Sequence, residues 1–326
     1  MRETQAVRFY QTGGAEVLKI EKISVPSPGK GEVLIQNHAV GLNFIDTYYR
    51  TGLYPMGLPS GLGFEGAGEV LEVGEGVTEF KVGDRIAYPH SPIGAYAKFR
   101  TLSEHWLVKL PSSISYEEGA AMMLKGLTVQ YLFRQTYELK KGDTILFHAA
   151  AGGVGLIACQ WARHLGVNLI GTVGSEEKGK LALEMGASHV INYTTEDVRK
   201  RVLELTDNKK VKVVYDSVGK STWETSLDCL EPRGLMVSFG NASGAVTGVS
   251  LNILAQKGSL YVTRPVLATH IATREKLVAA SQELFDLVSR GIIKIQIGQK
   301  FSLEKIQDAH RELESRKTTG STILIP

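Results

Sequence analysis

The chain has 326 residues, 43% hydrophobic and 22% charged, a balance that excludes a disordered polymer and gives a globular protein a sizeable core. That length predicts two domains, and a formal net charge of +3 is too weak a bias for a protein that lives on DNA or RNA. Two cysteines, Cys159 and Cys229, supply neither a disulfide framework nor a four-cysteine zinc lobe.

The opening residues Met1–Gln5 lack the apolar run of a signal peptide, and a reducing, cytoplasmic compartment is expected. Up to about residue 110, short apolar runs such as Val33-Leu34-Ile35 and Arg85-Ile86-Ala87-Tyr88 are broken by Gly, Pro and Asp. This pattern reads as a β-rich, barrel-like domain. Ser115 with Glu118 is a capping-box signature opening a helix that runs to about Tyr137. Strand and helix then alternate. Strands are predicted at Thr144–Phe147, Asn168–Val173, His189–Tyr193, Val211–Tyr215, Leu235–Phe239 and Ser259–Thr263. Val- and Ile-rich strands alternating with helices predict a parallel doubly wound sheet. Arg199-Lys200-Arg201 with Lys209, Lys210 and Lys212 is interleaved with Glu196, Asp197, Glu204 and Asp207, and reads as a solvated helix face and its loop. Beyond about Pro265 come a helix from near Thr273 to Arg290, a second after Ser302, and the strand Ser321–Ile325; this tail is expected to pack onto the first domain. The uncharged stretches Thr144–Ala162 and Gly234–Gln256 are too broken by Gly and polar residues to cross a membrane.

Ala149-Ala150-Ala151-Gly152-Gly153-Val154-Gly155 follows a predicted strand and opens a predicted helix. A dinucleotide's pyrophosphate needs backbone without an intervening Cβ and helix N–H groups aimed at its charge, and Gly152 and Gly155 stand where those needs arise. Ala150 replaces the first glycine of the usual fingerprint. An NAD site would carry a carboxylate at the end of the second strand, but Gly174-Ser175-Glu176-Glu177-Lys178 stands there. Ser175 can donate to a phosphate, Lys178 supplies positive charge, and Tyr193 adds a hydroxyl from the next strand. NADPH is therefore expected over NADH, with Glu176 and Glu177 turned to solvent. His148, on the buried strand, reads as a core residue.

Nearly the whole chain resembles the zinc-free quinone oxidoreductases, the zeta-crystallin-like branch of the medium-chain dehydrogenase/reductase superfamily. The segments that carry the resemblance are Gly41–Tyr48, Gly61–Glu65, Leu124–Thr128, the glycine loop, Val214–Gly219 and Ser238–Asn241. The zinc-dependent members of that superfamily hold a catalytic metal at the positions of Asn43, Phe64 and Lys125, and none of these three side chains is a zinc donor. No metal is expected. The resemblance implies that Asn43, Tyr48 and Lys125 line the catalytic cleft. It also implies that Asn43, Lys125, Thr128, Ala151, Gly152, Gly153, Val154, Gly174, Ser175, Lys178, Tyr193, Ser217, Phe239, Gly240 and Arg264 bind the cofactor.

The expected α/β architecture is a GroES-like catalytic domain, residues 1–126 completed by 265–326, flanking a Rossmann domain at 127–264, with the active site in the cleft between them. The expected activity is NADPH-dependent reduction of a small quinone by a homodimer joined near Leu260–Val262. Two other readings are an enone or 2-alkenal double-bond reductase and a dinucleotide-binding protein with a structural or RNA-binding role.

Overall fold

The computed structural model describes residues 2–326. The chain forms two compact units, one comprising the chain up to Leu127 together with Ile271–Pro326, the other Thr128–His270.

The first unit opens with an antiparallel ribbon of β1 (Arg2–Arg8) and β2 (Lys19–Val25). β3 (Glu32–Leu42) passes through Asn43 directly into α1 (Phe44–Thr51). β4 (Gly66–Val73), β5 (Arg85–Tyr88), β6 (Phe99–Ser103) and β7 (Val108–Lys109) follow. α2 (Tyr116–Tyr131) then carries the chain into the second unit. Its capping box forms as the sequence predicts: Glu118 N donates to Ser115 Oγ at 3.1 Å, and Ser115 N donates to the Glu118 carboxylate at 2.9 Å.

In the second unit the alternation is β8 (Thr144–Phe147), α3 (Gly153–Leu165), β9 (Asn168–Val173), α4 (Glu176–Glu184), β10 (His189–Asn192), α5 (Val198–Leu205), β11 (Val211–Asp216), α6 (Trp223–Asp228), β12 (Leu230–Ser238), α7 (Asn252–Gln256), β13 (Tyr261–Thr263) and α8 (Leu267–His270). The six strands form one parallel sheet in the order β10-β9-β8-β11-β12-β13. Leu146, Ile170, Ile191, Val214 and Met236 are fully buried in its core, which explains why these strands read as continuous apolar runs. The sheet order reverses between β8 and β11, the switch point at which such sheets open a crevice beyond the carboxyl ends of their strands. Both cysteines lie in this unit, and burial pushes each thiol up to about 12. The basic stretch falls on and after α5, where Arg201 pairs with Glu196 at 2.9 Å and also with Glu204.

The chain returns to the first unit as α9 (Arg274–Ser289), capped by Thr273, then β14 (Ile297–Ser302), α10 (Ile306–Glu314) and β15 (Ser321–Ile325). β15 pairs antiparallel with β3, extending the sheet to β14-β15-β3-β4-β5-β7, while β6 also pairs with β3. Leu303, Ile306 and Leu324 from this tail share one core with Val33, Ile35, Val70 and Tyr88. α1 is tied to α10 by the buried Arg50. Its guanidinium donates to Glu314 at 2.6 and 3.0 Å and to Gly13 O at 3.1 Å, and lies 3.0 Å from His310 Nδ1. Burial, helped by the Arg50 charge, drives His310 down to about 3. Among the described residues no helix is long and apolar enough to cross a membrane.

Candidate nucleotide cradle and reduction site

Two residues beyond β8 stands Ala149, at φ 56°, and α3 begins at Gly153 with Gly152 as its N-cap. No side chain caps this helix and no acidic residue stands in its first turn, so its leading N–H groups suit an external anion. A Cβ on Gly155 would lie 2.4 Å from Ala149 O and 2.5 Å from Ala150 O, so only glycine lets the helix start against the loop. At Gly152 the nearest atom to such a Cβ is 3.3 Å away, which leaves room for close approach of a ligand. The departure at Ala150 has its own compensation: its methyl lies 2.5 Å from where a Cβ on Gly171 of β9 would stand.

At the end of β9, a Cβ on Gly174 would meet the Tyr193 hydroxyl at 2.6 Å, so the exposed Tyr193 leans over this glycine. Ser175 caps α4, its Oγ accepting from Lys178 N at 3.3 Å. Glu176 and Glu177 are both exposed, as the sequence reading expects. Glu177 nevertheless competes for this corner, because its own backbone N–H and the Ser175 hydroxyl hold its carboxyl below the usual range. Lys178 is partly buried, which lowers its ammonium pKa. At the ends of β11 and β12, a Cβ on Gly240 would meet Ser217 O at 2.3 Å, and Phe239 packs on Phe147 at 5.8 Å. Beyond β13, Arg264 donates to Ser238 O at 2.9 Å and Gly240 O at 3.2 Å, bracing that turn. Residues 149–154, 174–178, 193, 217, 239–240 and 264 thus gather at the carboxyl ends of the six strands.

A buried chain of hydrogen bonds underlies this edge. Ser226 donates to Asp216 at 2.8 Å, so His148 Nε2, 2.9 Å from Ser226 Oγ, is the ring's donor. Thr172 lies 3.0 Å from His148 Nδ1, and Asp216 accepts from Val218 N and Gly219 N at 2.7 and 2.9 Å. Burial lowers the His148 pKa, keeping the ring neutral, so His148 is a core residue that ties β8, β9 and β11 together.

In the first unit, Asn43 is the N-cap residue of α1, and its N–H donates to Asp46 at 2.8 Å. Its amide Nδ2 donates to Glu65 Oε1 at 2.7 Å, and Lys125 Nζ donates to the same oxygen at 2.8 Å. Leu124 N donates to Glu65 Oε2 at 2.6 Å. Tyr48 is buried edge-on to Tyr54 at 5.3 Å, and Thr128 is buried on α2, three residues past Lys125. Asp46 accepts from the Tyr96 hydroxyl at 2.6 Å; burial pushes its carboxyl up to about 7 against that hydrogen bond. Phe64 stacks on His90 at 5.2 Å. Asn43 and Lys125, named from the sequence, are therefore joined through Glu65, which was not singled out. Its only signal was a lone acid inside the apolar, glycine-rich run Gly61–Ala67.

Two family descriptions match the chain: alcohol dehydrogenase GroES-like domain at residues 29–112 and zinc-binding dehydrogenase at 153–282. A quinone oxidoreductase of Pseudomonas aeruginosa is 63% identical over 98% of this chain and 99% of its own length. The crystal structure of Escherichia coli quinone oxidoreductase complexed with NADPH has a TM-score of 0.98 at 56% identity, covering 99% of this chain and 100% of that one. A 2-haloacrylate reductase of a Burkholderia species is 42% identical over 98% of each chain. The α/β class read from the sequence, Rossmann sheet plus GroES-like domain, stands.

The second family description raises the question of zinc. Asn43 and Lys125 both present N–H donors to Glu65, and Phe64 presents a ring face to His90. A zinc ligand must offer a lone pair from thiolate, imidazole or carboxylate, and these three side chains do not fit the metal.

Proposed function

Because the chain belongs to the quinone oxidoreductases of the medium-chain dehydrogenase/reductase superfamily, we propose that it reduces quinones with NADPH and without a catalytic metal. The observation that carries this reading is the substitution of an amide and an ammonium for metal donors at Asn43 and Lys125.

NADPH, when bound, supplies the hydride. The N–H groups of Gly152, Gly153 and Val154, beside Ala151, hold the pyrophosphate at the start of α3. Ser175, Lys178 and Tyr193 hold the 2′-phosphate, which the half-buried ammonium and the hydroxyl leaning over Gly174 support. Thr128, Ser217, Phe239, Gly240 and Arg264 complete the cofactor site. Asn43 and Lys125 meet the nicotinamide end and a quinone oxygen. A quinone is electron-poor, and one reduced oxygen gathers phenolate charge before it takes a proton. An ammonium and an amide N–H stabilise that charge without a Lewis acid, so positioning carries most of the rate.

A second reading draws support from the 2-haloacrylate reductase relative: reduction of a conjugated carbon–carbon double bond. That reaction delivers a proton to carbon, and the hydroxyl of the buried Tyr48 is the candidate donor. The test is NADPH oxidation against quinones and enones, with and without a chelator, on parent and Tyr48→Phe chains. Quinone turnover that survives both the chelator and Tyr48→Phe is expected. Loss of turnover on chelation sinks the metal-free reading, and preference for enones with a large Tyr48→Phe effect selects the second.

We also place the protein in the cytoplasm as a homodimer. Its buried free thiols suit a reducing setting, and the edge strand β13 exposes Tyr261 and Val262 with one side unpaired. Sedimentation showing a monomer at micromolar concentration removes the dimer.

A further inference from the structure

We propose that Glu65 is the positioning residue of the reduction site: its single buried carboxylate clamps the Asn43 amide and the Lys125 ammonium in the orientation that meets the substrate oxygen. This rests on the reading of Asn43 and Lys125 as substrate contacts.

Glu65 has no exposed surface. A carboxylate taken out of water survives only with a full set of donors. Glu65 has three, drawn from two distant stretches of chain. Asn43 stands 22 residues before it at the junction of β3 and α1, and Lys125 and Leu124 stand 60 and 59 residues after it on α2. The Leu124 N–H fixes the carboxylate to the backbone of the same turn that carries Lys125. The clamp therefore sets both the root and the tip of that lysine. Oε1 takes one of the three N–H bonds of the ammonium and one of the two on the amide, and the others remain to meet a ligand. The fold also keeps a space for this carboxylate. On β3, a Cβ at Gly41 would lie 2.2 Å from Glu65 Oε1 and 2.5 Å from its Cδ. The neighbouring acid, Asp46, hydrogen-bonds instead to Tyr96 and the Asn43 backbone, and among the described residues Glu65 is the acid in ion-pair contact with Lys125.

The experiment compares the parent chain with Glu65→Gln, Glu65→Asp, Lys125→Met and the double variant Glu65→Gln/Lys125→Met. Glu65→Gln keeps the shape and removes the charge. It is expected to lower kcat with a quinone at least tenfold and to leave KM and the NADPH Kd within threefold. Glu65→Asp should recover part of the loss. In the Lys125→Met background, Glu65→Gln should cost clearly less than in the parent, because the part of its effect that passes through Lys125 is gone and only the part through Asn43 remains. An equal cost in both backgrounds, or an unchanged kcat in Glu65→Gln, overturns the proposal. A readout without substrate accompanies these: the 15N signal of the Lys125 ammonium, assigned as the one lost in Lys125→Met. Slow exchange in the parent and loss of the signal in Glu65→Gln are expected; the same signal in both overturns the clamp, and so does its absence from the parent. Absence of quinone turnover in a parent chain that shows the signal refutes the substrate reading instead.

Discussion

In the second unit, the edge of the sheet proposed to hold the dinucleotide is defined by side chains that are missing. Gly155 admits a helix start, Gly174 admits a tyrosine hydroxyl and Gly240 admits a neighbouring strand turn, each where a Cβ would stand within 2.6 Å of another atom. In the first unit the site is defined by side chains that are present and paired. Asn43, Glu65 and Lys125 form one hydrogen-bonded cluster, and Arg50, His310 and Glu314 form another. A backbone cradle suits a cofactor whose phosphates recur in every turnover. A side-chain cluster suits a reaction centre whose chemistry can change by substitution on a constant fold.

The largest test of that contrast is Arg50→Met. Removing the buried guanidinium takes the donor from Gly13 O and from His310 Nδ1 and releases the solvent-facing Glu314; at about 1.5–3 kcal/mol for each hydrogen bond to a charged group, the cost is about 3 kcal/mol or more. A denaturation midpoint equal to the parent's would show that the first unit does not depend on its paired side chains. The acid limb of stability is the next. His310 has a folded pKa of about 3, below its unfolded value, so its neutral form stabilises the fold. That contribution is complete above about pH 6.5 and is lost as the pH falls toward 3. His310→Asn should flatten the loss by up to about 3 kcal/mol between about pH 6.5 and 4, read from denaturant midpoints across that range. A smaller effect is expected in the second unit. Gly155→Ala drives a Cβ against two backbone oxygens and should weaken NADPH about a hundredfold, or about 2.7 kcal/mol, in a fluorescence titration. Unchanged affinity would mean that the cradle is not defined by its missing Cβ. The smallest effect is Lys178→Ala. It should weaken NADPH about tenfold and leave NADH nearly unchanged, since one charge-assisted bond contributes about 1.5–3 kcal/mol. Equal losses for both cofactors would remove Lys178 from the 2′-phosphate site.

The same contrast governs how much could be read from the sequence. The strand, glycine run and helix proposed as the cradle were legible because their determinants are local, within some twenty residues. The six parallel strands announced themselves by Val- and Ile-rich runs, and the capping box at Ser115 by spacing alone. What escaped were determinants separated in sequence. Gly171 accommodates the Ala150 methyl from the next strand, and nothing in the glycine motif predicts that position. Glu65 meets its partners across 22 and 60 residues, a distance over which periodicity carries no information. Resemblance supplied Asn43 and Lys125 as names. The fold supplied the carboxylate that joins them.

The two cysteines carry a last consequence. Quinones are soft electrophiles that arylate sulfur, and the thiolate is the form they attack. Cys159 and Cys229 have no exposed surface, and with their acidity suppressed to about 12 they are almost entirely protonated at neutral pH. The folded chain offers a quinone no nucleophilic sulfur, so it resists self-poisoning by the compounds it reduces. Intact-mass measurement after incubation with excess benzoquinone should find both thiols unmodified until the protein unfolds.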